Sequence, residues 1–294
     1  MVVVFLMVTA VLSAQNQDEL ITIDYRSTAQ APISNEIYGV LNEVNYANSF
    51  FNFSMNYGHS FKDTTLSMIY SLIYNNVSQN IDLSNVTDNT LLDVLPNTYY
   101  KYPQFSQLSL STGINKGLKN NWSITGMLTA NIVDDFFKPK LPTAINFQGL
   151  AYVEKEHNKK LSYGIGLFLR QTENNLVPSV VLSFNYQNKK RGVEALFPSS
   201  IRMWQMINST SYLEVNAYSN FYSLRYKPNN PVISMDITSI IPEFTYNYIW
   251  EEFLRVKIGI DLPLNDVTII AKDEIIKYNQ FSMGLKFGLS IVID

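Results

Sequence analysis

FSMGLKFGLSIVI, residues Phe281–Ile293, alternates almost without fault. Phe281, Met283, Leu285, Phe287, Leu289, Ile291 and Ile293 take the odd positions. Ser282, Gly284, Lys286, Gly288 and Ser290 take the even ones, and only Val292 breaks the pattern. Successive side chains of a β-strand point to opposite faces, so this segment is apolar on one face and small or polar on the other. At about 3.3 Å per residue it reaches roughly 43 Å, or a little over 30 Å when tilted by about 40°, which is bilayer thickness. A terminal strand of this kind closes a membrane β-barrel.

Working back from it, the same period recurs. Phe51, Phe53, Met55, Tyr57 and Phe61 alternate with Asn52, Ser54, Asn56, Gly58 and Ser60. Leu66, Met68, Tyr70, Leu72 and Tyr74 form an outward set against Ser67 and Ser71. Leu108, Leu110 and Ile114 alternate with Ser109, Ser111 and Asn115, and Trp122, Ile124, Leu128 and Ile132 with Ser123, Thr125, Thr129 and Asn131. Comparable sets start at Ile21, Ile145, Leu161, Val180 and Leu254. A soluble β-sandwich also alternates, but its strands usually run about 5 to 6 residues and its surface is rich in charge. Here the runs are about twice that length, and charged residues are only 16% of the chain, against about 25% in ordinary soluble domains. After the N-terminus no run of 18 apolar residues occurs, which excludes helical spans. The composition, with 19 Tyr and 17 Phe, fits a barrel with a greasy outside and aromatic interfaces. The expected fold is therefore an all-β, antiparallel, up-and-down transmembrane barrel in a Gram-negative outer membrane. The surrounding lipid, and the barrel-assembly machinery during insertion, are its expected partners.

Short polar connections at Lys62–Asp63, Lys119–Asn121, His157–Lys159 and Asn188–Lys190 alternate with longer ones at about 30–46, 78–101 and 134–142. That is the pattern of periplasmic turns and extracellular loops, with the chain starting on the periplasmic side. The second half is less regular. Pro198 interrupts the stretch from Gly192 to Ile207, and apolar parity changes around Pro242, from Ile233, Met235 and Ile237 to Phe244, Tyr246, Tyr248 and Trp250. Such a change reads as a bulge, where proline is tolerated. Twelve strands are expected, with fourteen as the alternative if a piece such as Ile37–Val44 or Val267–Ile270 also pairs.

The first fourteen residues, MVVVFLMVTAVLSA, have the apolar core and small-residue end of a signal peptide cleaved after Ala14; residues 15–294 then form one barrel domain. There are no cysteines, so neither disulfides nor thiolate metal sites arise. Sequons at Asn52, Asn76, Asn85, Asn121 and Asn208 reflect an Asn/Ser/Thr-rich composition. A net charge of −3 with a pI near 5.5 argues against a nucleic-acid partner.

Several segments carry a likeness. LSLSTGINKGLKNNWSITGML (Leu108–Leu128), Tyr163-Gly-Ile-Gly-Leu167, Pro178 leading to Phe184-Asn-Tyr186, and Leu196-Phe-Pro198 with Arg202 four residues on resemble, in order and spacing, a family of Gram-negative outer-membrane β-barrels of unestablished function. The resemblance covers about 108–226 and implies fold and location only. Barrel-assembly signals often end on an aromatic residue, whereas this chain ends Ile293-Asp294; Phe287 takes that part.

No catalytic assembly is legible. His59 is in register with Phe51, Phe53, Met55, Tyr57 and Phe61 and reads as an interfacial residue, and His157 sits in a polar turn. Neither has a Ser or Asp at a spacing that suggests base catalysis. Asp134-Asp135, and Asp82, Asp88 and Asp93, lack a calcium-loop pattern. No cofactor is expected. The informative surface is the inward one. On the early strands it is small and uncharged; on the last hairpin it changes to Arg255, Lys257 and Asp261, faced by Lys286. Glu214, with Tyr212, Tyr218 and Tyr222, points inward from an earlier strand. Charges inside a membrane barrel must pair or meet water. Arg255, Lys257, Asp261, Lys286 and Glu214 thus form the candidate luminal cluster, either as a network that closes the lumen or as a selectivity ring, the first four leaving about two positive charges in excess along one wall. The expected role is structural, assembly or partner-binding with a closed or narrow lumen. A passive channel or small-solute uptake barrel is the alternative, and a barrel enzyme a distant third.

Overall fold

The computed structural model describes residues 18–29, 31–34, 45–61, 65–82, 104–134, 144–171, 176–225, 232–251, 253–271 and 275–293. Within them alternation has become a wall of antiparallel ladders. The first half contributes β1 (Asp18–Thr28), β2 (Ala31–Ser34), β3 (Asn45–Ser60), β4 (Leu66–Asp82), β5 (Gln104–Gly117), β6 (Trp122–Asp134), β7 (Ala144–Asn158), β8 (Leu161–Gln171) and β9 (Leu176–Gln187). The second half contributes β10 (Arg191–Phe197), β11 (Ser200–Met206), β12 (Ser211–Arg225), β13 (Val232–Trp250), β14 (Leu254–Asp261), β15 (Leu264–Ala271), β16 (Ile275–Phe281) and β17 (Gly284–Ile293). Three pairs of segments, β1/β2, β14/β15 and β16/β17, are each one strand with a short interruption. The β13 ladder runs from β14 onto β15, and the last strand pairs with the first through β17–β1 and β16–β2. Among the described residues the result is a closed barrel of fourteen strands.

The expected number of twelve is therefore corrected to fourteen, and the reason lies in two prolines. Pro198 does not bend one strand but ends it. The chain reverses there, the Ser199 amide donating to the Leu196 carbonyl at 2.7 Å, and β10 and β11 pair with each other. Pro242 marks no bulge. The β12–β13 register is unbroken from Ser211↔Tyr248 to Arg225↔Ser234, so odd residues face inward along the described part of β13, with Ile237 and Ile241 buried in the lumen. What lies beside Pro242 is the β14/β15 interruption at Leu262–Pro263. A ladder cannot be completed where prolines lack donors, so the break falls in the neighbouring strand while parity is kept. Val267–Ile270 belongs to β15; Ile37–Val44 lies outside the described residues, as do residues 1–17.

The opening stretch behaves as its alternation requires. It is interrupted at Ser282–Met283, yet Phe281, Met283, Leu285, Phe287, Leu289 and Ile291 are exposed while Ser282, Gly284, Gly288 and Ser290 are buried. The outward set elsewhere is equally apolar: Leu128 is 68% exposed, Ile165 56% and Leu285 55%. His59 stands among these outward residues, its ring 4.8 Å from Phe61 and nearly perpendicular to it. No helix of the described chain is long and apolar enough to cross a membrane; the strands make the crossing.

Candidate functional site: the barrel lumen

Small luminal residues let the walls approach. The backbone of β12 comes within 8 Å of β6 and β7, which lie almost opposite it in the ring. Luminal side chains consequently leave water: Ser54, Ser109 and Ile73 are fully buried. On β3 to β6 they pair as ladders of uncharged groups. Asn52 donates to Asn75 at 2.5 Å, Ser109 to Asn131 at 2.7 Å, Ser111 to Thr129 at 2.8 Å and Asn115 to Thr125 at 2.7 Å. Each such bond satisfies groups whose burial alone would be costly. Beside them Met127, Leu150, Tyr152, Phe168, Val181 and Leu196 form an apolar cluster inside the barrel. These residues carry no polar signal in the sequence, although each occupies the inward parity of its strand.

At mid-height, charges form a buried layer. Glu243 of β13 accepts from Tyr218 at 2.6 Å, pairs with Lys286 at 3.0 Å and pairs with Arg26 of β1. Arg26 also reaches Asp261 and the Tyr218 hydroxyl, and its guanidinium stacks over Phe50 at 5.6 Å. Arg26 and Lys286 are directly opposed on neighbouring strands. Two like charges so placed repel, and the two carboxylates between them offset this. Formal charge in the layer sums to zero. Glycine on the last strand makes room: a Cβ at Gly284 would lie 2.1 Å from Asp261 Oδ1, and one at Gly288 equally close to Asp24 Oδ1.

Nearer the short turns lies a second ion-pair group. Arg202 of β11 bridges Glu214 at 2.8 Å and Glu194 at 3.3 Å. Below it opens a cavity of about 860 Å³ whose lining includes Lys159, Lys160, Lys189, Arg202, Trp204 and Arg255. Trp204 meets Tyr212 edge-on at 6.5 Å, and Arg255 lies over the Tyr212 ring at 5.5 Å. A second cavity, of about 450 Å³, shares Lys159 and Lys160 and is walled by Thr125, Tyr152 and Glu154. Among the described residues no His, Asp or Glu group is arranged to hold a metal.

The five residues expected as one cluster are thus divided. Asp261 and Lys286 enter the mid-height layer, Arg255 sits at the vestibule, Lys257 faces inward between them, and Glu214 belongs to Arg202 rather than to the last hairpin. The excess of positive charge is divided rather than gathered: Arg255 and Lys257 lie outside the mid-height layer, in which Arg26 and Lys286 are matched by Glu243 and Asp261. Arg26 and Glu243, the centre of the layer, were legible as inward parity: Arg26 follows Thr22 and Asp24, and Glu243 precedes Thr245 and Asn247. The side chain of Tyr222 lies outside the described residues.

A closed antiparallel barrel, apolar outside and polar with paired charges inside, defines a Gram-negative outer-membrane β-barrel protein. Within that class the chain belongs to the family described as Domain of unknown function (DUF6268), which matches residues 95–263. No curated protein matches it by sequence. Solved barrels resemble it in form. The translocator domain of autotransporter NalP from Neisseria meningitidis shares 9% identity at a TM-score of 0.37, over 98% of this chain and 93% of that one. The TodX monoaromatic hydrocarbon channel (a deltaS2 mutant) shares 8% at 0.36, over 93% and 90%. The KdgM porin in complex with disordered oligogalacturonate shares 7% at 0.33, over 93% and 99%.

Proposed function

We propose that the protein is a narrow passage barrel for small solutes, shut at mid-height by its ion-pair layer. The observation that carries this is the make-up of the closure. Charges taken out of water lose hydration that their mutual attraction barely restores, and apolar side chains of similar size commonly close such a space at lower cost. Apolar packing already fills the neighbouring part of this lumen. Placing Arg26, Lys286, Glu243 and Asp261 at the constriction instead gives a barrier that water and ions can loosen, and it stands above a cationic vestibule of about 860 Å³ open towards the periplasmic turns. The lining of that vestibule favours small anions.

The test is conductance in planar bilayers. Unmodified protein should give little current, whereas a charge-neutral double variant, Arg26→Gln with Glu243→Gln, should give discrete steps with anion preference. Large, stable steps from the unmodified protein would contradict the closure. Silence in both would remove the passage reading and leave a structural or partner-binding barrel.

A further inference from the structure

Two short turns on the same side of the barrel carry the same tripeptide. Asn158-Lys159-Lys160 leads from β7 to β8, and Asn188-Lys189-Lys190 from β9 to β10. They are built alike: in each the Asn side chain accepts the backbone amide of the second lysine at 2.9 Å, which fixes the turn. The β7–β8 register also shifts between Glu156 and Asn158, and a bulge of this kind bends the end of a hairpin. Lys159, Lys160 and Lys189, so placed, line the vestibule of about 860 Å³.

The wall facing them differs in kind. Trp204 shares the inward parity of β11 with Arg202 and Met206, and it rests against Gly192, its partner on β10. A Cβ at Gly192 would lie 2.4 Å from the indole Nε1, so the glycine makes room for the ring. Tryptophan in a membrane barrel ordinarily belongs to the outer interfacial girdle; this one serves the lumen. With Met206, Tyr212 and Ile249 it gives the vestibule an apolar side. Arg255, 6% exposed, enters the same wall from β14 with its guanidinium over the Tyr212 ring. Among the described residues the lining holds five cations and one carboxylate, Glu194, which together with Glu214 is bound to Arg202. The field of the chamber is therefore positive beside an aromatic face.

We propose that the vestibule binds a flat organic carboxylate, its ring against Trp204 and Tyr212 and its carboxylate on Arg255, drawn in by the turn lysines. This deepens the passage reading, on which it rests for the fate of the solute, by naming the solute's class. Sites for such ligands enclose about 300–1,000 Å³ and are largely apolar, with a few placed polar groups. An inorganic anion would gain nothing from Trp204, and an uncharged ring nothing from the cations. A planar guanidinium matches the two oxygens of a carboxylate, whereas lysines on flexible stems act as point charges that steer an anion to the mouth. Ring stacking adds to both.

Calorimetric titration of the folded, full-length protein in a neutral detergent with 4-iodobenzoate tests this. One saturable equivalent per chain is expected. The uncharged 4-iodobenzamide, and cyclohexanecarboxylate without a flat face, should each bind about tenfold more weakly. Trp204→Leu and Arg255→Gln should each weaken 4-iodobenzoate by about tenfold. Lys190→Gln, in the same turn as Lys189 but outside the cavity lining, should leave it unchanged. Heat-modifiable gel mobility shows that each variant is folded. If Trp204→Leu does not fold, protein with Trp122 and Trp250 replaced by Phe keeps Trp204 as its one tryptophan, and the iodine of 4-iodobenzoate should quench its emission saturably. Absence of saturable binding, equal affinity for acid and amide, affinity indifferent to Trp204→Leu and Arg255→Gln, or unquenched Trp204 emission would overturn the site. Binding is read without ion flow, so the two readings fail separately: a barrel that binds 4-iodobenzoate but never conducts keeps the site and loses the passage.

Discussion

Glu243→Ala is expected to cost about 3–5 kcal/mol, the range seen when one partner of a buried ion pair is removed. The reason is specific to this layer. Glu243 is the shared acceptor of Arg26, Lys286 and Tyr218, and its side chain is 1% exposed. Without it two cations that already oppose each other across neighbouring strands are left with Asp261 and the more distant Asp24. Denaturant unfolding of protein reconstituted in liposomes measures the loss. Glu243→Gln, which keeps the shape and a hydrogen-bond acceptor, should cost less than Glu243→Ala. A change below 1 kcal/mol for the alanine variant would mean that water reaches these groups and the layer is not closed.

Leu128→Arg should cost about 2–4 kcal/mol, because the charge must be held in hydrocarbon near the bilayer midplane. Leu285→Arg, at an equally lipid-facing position of the last strand, should behave alike. The luminal neighbours Thr129 and Ser282 are 3% and 2% exposed, so this lumen has no spare room for a large side chain at either. Small changes there remain mild: Thr129→Ala removes one hydrogen bond to Ser111, worth about 1 kcal/mol. The contrast is checked by the same unfolding assay. Equal, small effects of Leu128→Arg and Thr129→Ala would contradict the assignment of faces.

The two-residue period made the wall legible in sequence, because parity decides which face meets lipid and no other force competes with that choice along Phe51–Phe61 or Phe281–Ile293. Closure, the short connections and the inward placement of Arg255, Asp261 and Lys286 follow from it. Legibility ended where prolines punctuate the chain. Pro198 looked like an irregularity in one strand because each arm of its hairpin is only seven residues long. Around Pro242 the odd apolar residues Ile233, Met235 and Ile237 look like a lipid-facing set and so suggest a bulge, since an isoleucine signals burial against lipid or against protein equally well. Parity alone separates those cases, and only an unbroken register reveals it. The charge layer was half legible for a different reason. Which strands face each other across a flattened lumen is a property of the whole ring, so Arg26, near the start, could not be matched to Glu243 by local spacing.

Closure of the lumen above the vestibule is tested most directly by thiol access. Ser109, at mid-height on β5, is fully buried, whereas Ser123, near the turn of β6, lines the smaller cavity. Single variants Ser109→Cys and Ser123→Cys in liposomes, treated with a charged, membrane-impermeant methanethiosulfonate, should differ sharply, with rapid labelling of Ser123→Cys and protection of Ser109→Cys. Comparable labelling rates at the two positions would show a continuous water-filled lumen and contradict the closed barrel.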